Sequence, residues 1–159
     1  MTNLEKIRRK LQLTNTPAEA LASQIINSGI QFDHAVTLTF PNEPFDHIQA
    51  ERYFGIFMQY LNERCFRRGF RSGKNRVKVF AIQEGFQYKR NHYHCAVQRP
   101  LHLSEDEFKK RIKKCWIKAT KDCHAIVDIG EYYSSGWLEY IMKEIGHRDT
   151  TGISEHCYW

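Results

Sequence analysis

The alternation of apolar and polar residues along the chain predicts four β-strands. These strands cover residues 34–40, 76–84, 92–99 and 124–129. The first is typical of a strand because its residues are β-branched or apolar and Pro41 follows it directly. A turn starting at Gly85 reverses the chain between the second and third strands, so these two are predicted to pair as neighbours.

Apolar residues at helical spacing predict the helices that lie between and around these strands. The predicted helices cover residues 3–12, 17–28, 46–68, 105–120 and 135–145. The longest is indicated by Ile48, Tyr53, Phe54, Phe57, Met58 and Leu61. Capping boxes start two others, at Thr16–Glu19 and Ser104–Glu107, and Gly29 and Gly146 stand at helix ends. The resulting order β-α-β-β-α-β-α predicts an α+β fold, a ferredoxin-like split βαβ core with a central antiparallel sheet.

Length and composition are those of one globular domain. The chain has 159 residues, of which 42% are hydrophobic. We expect a helical extension over residues 1–31, a core over 34–146 and a short tail over 147–159. The five cysteines form no CxxC pair, and the sequence lacks a secretory signal and any apolar run of membrane-spanning length. These features predict a cytoplasmic protein with reduced thiols.

The balance of charge favours a polyanionic partner. Lys and Arg outnumber Asp and Glu by 24 to 18, with an isoelectric point near 9.1. One segment concentrates this charge without an acidic residue, and its basic residues are Arg64, Arg67, Arg68, Arg71, Lys74, Arg76 and Lys78. Phe66 and Phe70 are interleaved, which fits neutralisation of a DNA backbone together with base stacking. The alternative interpretation is a solvated helix end and loop, as is also expected for the lysines of the 105–120 helix.

The most specific chemical feature is the sequence His92-Tyr93-His94. Residues i and i+2 of a strand point to the same face, so the two histidines lie side by side. Glu84 ends the neighbouring predicted strand and supplies an oxygen donor. One oxygen and two nitrogen donors suit Mg2+ or Mn2+ in an open site that still accepts a substrate oxygen. The alternatives are two ordinary core or surface histidines and a solvated Glu84.

Tyr140 and Lys143 lie three residues apart on the last predicted helix, so they share a face. A tyrosine hydroxyl near a bound metal can act as a nucleophile toward a phosphodiester. The spacing alone is common, and Leu138, Ile141 and Ile145 already provide a core stripe on this helix.

Taken together, these motifs make the chain similar to the HUH endonuclease superfamily and, within it, to rolling-circle replication initiators. The first family motif corresponds to Ala35–Phe40, the second to His92–Cys95 and the third to Tyr140–Lys143. Glu84 falls where these enzymes commonly carry the third metal ligand. Initiators with two tyrosines have another Tyr one helical turn earlier, where this chain has Gly136. The resemblance is therefore to the single-tyrosine type.

This resemblance implies a metal-dependent, sequence-specific endonuclease that nicks and joins single-stranded DNA. It implies Tyr140 as the nucleophile that forms a 5′-phosphotyrosine, with Lys143 beside it, and His92, His94 and Glu84 as the metal ligands. The expected partners are single-stranded DNA at a replication origin, including one presented in a hairpin, and a separate helicase and polymerase. No helicase segment is present, so we expect recruitment of a helicase or a longer parent protein.

Several other interpretations remain open from the sequence. A single-strand DNA transposase of the same superfamily usually pairs its tyrosine with glutamine rather than with lysine. A non-catalytic module of the RNA-recognition type shares the βαββαβ order but displays aromatic residues on its central strands. A histidine-triad hydrolase needs a further histidine where this chain has Ala96. A zinc site would draw on scattered residues, namely Cys123, His124, His147, His156 and Cys157.

Overall fold

The structure is a computed structural model that describes residues 17–42, 46–85, 91–132, 138 and 152–159. The helices of this part are α1 (Pro17–Asn27), α2 (His47–Phe66), α3 (Arg68–Arg71) and α4 (Glu105–Thr120). Its strands are β1 (His34–Thr39), β2 (Lys78–Glu84), β3 (His92–Gln98) and β4 (Ile126–Glu131). The predicted helices over residues 3–12 and 135–145 lie outside it, apart from Leu138.

The strands form one antiparallel sheet in the order β2-β3-β1-β4. β3 lies between β1 and β2, which are connected through α2, and this is the split βαβ arrangement. The predicted α+β fold with a central antiparallel sheet is confirmed. Among the described residues, no helix is long and apolar enough to cross a membrane.

Local side-chain hydrogen bonds start the two long helices where the sequence predicts. Asp46 caps α2 by accepting a hydrogen bond of 2.7 Å from the backbone N–H of Gln49. At α4 the Ser104 hydroxyl accepts from the Glu107 N–H, and the Glu107 carboxylate accepts from the Ser104 N–H. Both caps satisfy N–H groups that have no partner within the helix.

The two faces of the sheet are buried by different elements. The first face packs against α2 and α4 in a core whose largest fully buried side chains include Phe54, Tyr93 and Trp116. The second face carries a smaller apolar cluster, formed by Ile25, Phe32, Phe80, Ile82, Ala96 and Leu138. Because successive residues of a strand alternate between faces, this division decides which polar residues share the second face.

Two details differ from the sequence prediction. Ile48 was expected on the apolar stripe of α2, but its side chain is 76% exposed, so this assignment was wrong. Strand β4 starts at Ile126 rather than at residue 124. Asp122 explains the shift, because its carboxylate accepts from the His124 N–H and its carbonyl from the Ala125 N–H, which holds these residues in a turn.

The tail over residues 152–159 lies along the outer edge of β2. Tyr158 exchanges backbone hydrogen bonds of 2.7 and 2.8 Å with Val79, and the Ser154 N–H donates to the carbonyl of Ala81. The Trp159 ring packs edge-on against Phe80. The tail therefore pairs backbone groups of an edge strand that would otherwise be left open.

A buried carboxylate joins this tail to the helix and the sheet. Glu51 of α2 accepts a hydrogen bond of 2.6 Å from the Tyr93 hydroxyl, and others from the Ser154 hydroxyl and the Glu155 N–H. Burial, together with the neighbouring Glu51, raises the pKa of Tyr93, so the phenol stays protonated and donates. This network holds β3 against α2 next to both histidines, His92 and His94.

We expect Tyr93→Phe to lower the free energy of unfolding by about 1–3 kcal/mol, because Glu51 loses a buried hydrogen bond. Urea unfolding followed by circular dichroism measures the change. Tyr53→Phe is the matched control, since the Tyr53 hydroxyl has no hydrogen-bond partner among the described residues. Equal effects of both substitutions would show that the bond to Glu51 contributes nothing.

Candidate functional site

Three predicted metal ligands meet where β2 ends and β3 begins. Glu84 is the direct cross-strand partner of His92, and Ile82 is that of His94. All three donor residues therefore lie on the second face of the sheet, while Tyr93 between the histidines points into the core on the first. The sequence predicted this shared face, and the strand register brings the three side chains together.

The donor atoms lie at separations suited to a small divalent cation. The Nε2 atoms of His92 and His94 are 3.1 Å apart, and Glu84 Oε2 is 3.3 and 3.5 Å from them. Ligand atoms bound at about 2.1 Å are separated by about 3.0 Å at right angles and about 3.4 Å in a tetrahedron. The three donors thus fit around one common ion.

The state of Glu84 supports the same interpretation. Hydrogen bonds from His92 and His94 lower the pKa of this carboxyl to about 2, so it is ionised at neutral pH. Its second oxygen, Oε1, is buried without a hydrogen-bond partner among the described residues. A buried carboxylate oxygen is costly to leave unpaired, and a cation would offset that cost. The three side chains remain 17–21% exposed, so the site is open on one side.

A residue of β1 holds one of the ligands from behind. Thr37 is the cross-strand partner of His94, and its hydroxyl lies 3.2 Å from His94 Nδ1. Donation of the Nδ1 hydrogen to this oxygen leaves the Nε2 lone pair on the side of Glu84. Thr37 belongs to the first motif of the sequence, but no local signal predicts that it contacts a histidine.

Two other groups of ligand-type residues differ from this site. Asp122, Cys123 and His124 sit in the turn before β4, where two of them are exposed and Asp122 already accepts from the backbone. The second group combines His156 with Glu51, whose carboxylate is occupied by Tyr93 and the tail. The zinc site suggested by the sequence is not assembled among the described residues, because Cys123 and Cys157 lie at opposite edges of the sheet.

The predicted DNA-binding residues lie at the other end of the molecule. Helix α2 runs from His47, which bonds to Gln83 beside the metal ligands, to Asn62, which bonds to Val77 at the start of β2. Arg64, Arg67, Arg68 and Arg71 follow and line one pocket, whereas Arg76 and Lys78 line another, and Lys74 lies exposed in the loop between them. The structure therefore divides the continuous basic segment into two surfaces.

The predicted nucleophile Tyr140 and its neighbour Lys143 fall outside the described residues, as does Gly136. The nearest described residue is Leu138, which is buried in the apolar cluster of the second face with Ile82 and Ala96. That cluster adjoins the metal ligands, because Ile82 is the cross-strand partner of His94. Only two peptide units separate Tyr140 from Leu138, at most about 7 Å of extended chain.

Comparison with known proteins gives one family. The sequence profile of the replication-associated protein ORF2 family matches residues 33–145, more than two thirds of the chain. The matched range includes the three ligands at the end of β2 and the start of β3, as well as Tyr140. No curated protein and no solved structure gives a significant match.

Proposed function

This chain belongs to the replication-associated protein ORF2 family, and on that basis we propose that it initiates rolling-circle replication by nicking single-stranded DNA at an origin. The proposed enzyme is an HUH endonuclease with one catalytic tyrosine, encoded by a plasmid, phage or other mobile element. A helicase and a polymerase would act with it as separate proteins. The cell compartment in which this takes place is the cytoplasm.

One observation carries the proposal, namely the convergence of Glu84, His92 and His94 within the matched range. A replication protein that only bound DNA would have no need of an ionised, partly buried carboxylate beside two imidazoles at ligand spacing. When bound to these three residues, Mg2+ or Mn2+ would polarise the scissile phosphate and offset charge on its nonbridging oxygens. The openness of the site leaves room for that phosphate.

The bond changes in the proposed reaction involve Tyr140 and the DNA. The phenol has an ordinary pKa near 10, so it gives up its proton as its oxygen attacks phosphorus. A bond forms between that oxygen and phosphorus while the bond from phosphorus to the 3′ oxygen breaks, and this oxygen leaves as a 3′-hydroxyl after taking a proton. The product is a 5′-phosphotyrosine and a free primer end. Attack by another 3′-hydroxyl reverses the step and joins strands.

The chain's basic residues have supporting roles in this proposal. Lys143, one helical turn from Tyr140 in the predicted helix, would neutralise charge on the phosphate or position the tyrosine. The basic segment that begins at Arg64 would bind the DNA backbone. Neither role requires a base-specific contact, so the target sequence is read elsewhere.

Covalent capture tests the proposal directly. The protein is incubated with a pool of single-stranded oligonucleotides in Mn2+ or in EDTA, denatured, and the DNA that remains attached is sequenced. We expect attachment only with the metal, at one sequence, with the peptide of Tyr140 carrying the 5′ phosphate by mass spectrometry. Binding without any attachment across the pool would instead indicate a non-catalytic module.

We expect Thr37→Val to weaken Mn2+ binding roughly tenfold, because His94 loses the hydrogen bond that orients its ring. Titration of Mn2+ followed by electron paramagnetic resonance measures the affinity without DNA or turnover. Thr39→Val is the matched control: Thr39 is the cross-strand partner of His92, and its hydroxyl has no hydrogen bond among the described residues. If both variants bind Mn2+ like the wild type, Thr37 does not position the ligand.

A further inference from the structure

Five arginines from three helices surround an open pocket of about 470 Å³ at the C-terminal end of α2. The lining residues are Glu63, Arg64, Arg67, Arg68, Arg71 and Arg111. Glu63 is the only carboxylate of this lining, and it pairs with Arg71. The pocket therefore has four guanidinium groups that no carboxylate of its lining neutralises.

Contacts with the backbone, rather than with acidic side chains, hold this cluster in place. Arg111 of α4 donates a hydrogen bond to the carbonyl of Arg64, which ties the two helices together. Arg67 has a left-handed backbone, with φ of 46°, and donates its N–H to the carbonyl of Glu63. This residue ends α2 and lets the chain restart as α3, so that Arg68 and Arg71 face the same pocket as Arg64.

Stabilisation of a helix end does not explain the whole cluster. Basic residues in the last turn of a helix interact favourably with its dipole, which accounts for Arg64. It does not account for Arg111, which comes from the middle of a different helix. Mutual repulsion among these groups opposes their convergence, and an anion in the pocket would relieve it.

The pocket is far from the metal ligands. Arg64 follows His47 by 17 residues of α2, which corresponds to about 25 Å of helix. His47 contacts Gln83 beside Glu84, so the length of the helix separates the two sites. A strand of DNA held at the metal site therefore reaches the pocket with nucleotides well away from the scissile phosphate.

We propose that this arginine pocket binds sugar-phosphate backbone of the DNA substrate at a distance from the nick. The proposal rests on the proposed function for the identity of the substrate, and it assigns to the pocket a part of the basic segment together with Arg111. Guanidinium groups suit this ligand because their paired N–H groups match two oxygens of one phosphate. The phosphates belong either to the single strand or to an adjoining duplex.

Binding of uncleaved DNA tests the proposal. The variant is the double substitution Arg68→Ala with Arg111→Ala, and the probes are a labelled single strand and a labelled duplex of about three helical turns, both in EDTA. Affinity is measured by fluorescence anisotropy over a range of KCl concentrations. We expect roughly tenfold weaker binding at low salt, and a salt dependence that is shallower by about 0.7 to 0.9 for each phosphate that the variant no longer neutralises. The probe that shows this effect identifies which form of DNA enters the pocket.

The control substitutes the exposed lysines Lys110 and Lys113 of the same helix, which removes the same charge outside the pocket. Thermal unfolding establishes that each variant is folded. If the arginine variant loses no more affinity than the lysine variant on either probe, the pocket is not a phosphate site. Because EDTA prevents metal-dependent cleavage, this result is independent of covalent capture, and a failure of either test leaves the other one intact.

Discussion

Tyr140→Phe is expected to abolish covalent attachment to single-stranded DNA and to reduce nicking to the uncatalysed background. Phenylalanine keeps the ring and removes the only atom that can attack phosphorus, so the chemical step is lost while packing is retained. DNA affinity in EDTA should stay within about twofold, because one hydroxyl contributes little to a backbone-dominated interaction. A gel that separates free from protein-linked oligonucleotide measures the first effect and anisotropy the second.

Tyr132→Phe is the matched control for this experiment. Tyr132 follows β4 directly, and its ring packs edge-on against Phe32. It is a tyrosine close in sequence to the predicted helix but outside the predicted motif, so its variant should form the covalent product normally. Persistent attachment by the Tyr140 variant, with loss in the control, would transfer the nucleophile to Tyr132.

The second large effect is expected from the metal ligands. His94→Ala removes one of three donors whose atoms lie within 3.5 Å of one another, and we expect Mn2+ affinity to fall by about 100-fold or more. Metal-dependent cleavage should fall with it and recover in part at high Mn2+, since His92 and Glu84 remain. Calorimetric titration gives the affinity, and single-turnover cleavage at several Mn2+ concentrations gives the rescue.

The other ligand-type clusters provide the controls for the metal site. His124→Ala alters the exposed turn before β4, and His156→Ala alters the cluster at Glu51. Both variants should bind Mn2+ like the wild type. Loss of Mn2+ binding in either of them, with normal binding by His94→Ala, would place the metal in a different part of the chain and contradict the assignment.

Most of the described fold follows from patterns that span only a few residues. The capping boxes and the β-branched runs predicted elements whose ends agree with the structure to within about two residues. The shared face of His92 and His94 was predictable for the same reason, because the period of a strand is independent of its neighbours. Glu84 was predictable because consecutive strands joined by a short turn usually pair.

Features that depend on distant packing could not be predicted in this way. Ile48 fits the helical spacing, yet no element of the described part covers it. The contact between Thr37 and His94 joins residues 57 positions apart and exists because β3 is inserted next to β1. The placement of Tyr140 and Lys143 stays a prediction, since both lie outside the described residues.

The sequence by itself determined the kinds of elements, the chemistry of the donors and the shared face of the two histidines, since these depend on local spacing. Only the tertiary structure decided which donors meet, which hydroxyl supports them and where the arginines converge. The pocket needs Arg111 from a second helix, and the metal site needs the register of two strands. Such contacts depend on how elements pack across the sheet, and no local pattern of residues encodes that packing on its own.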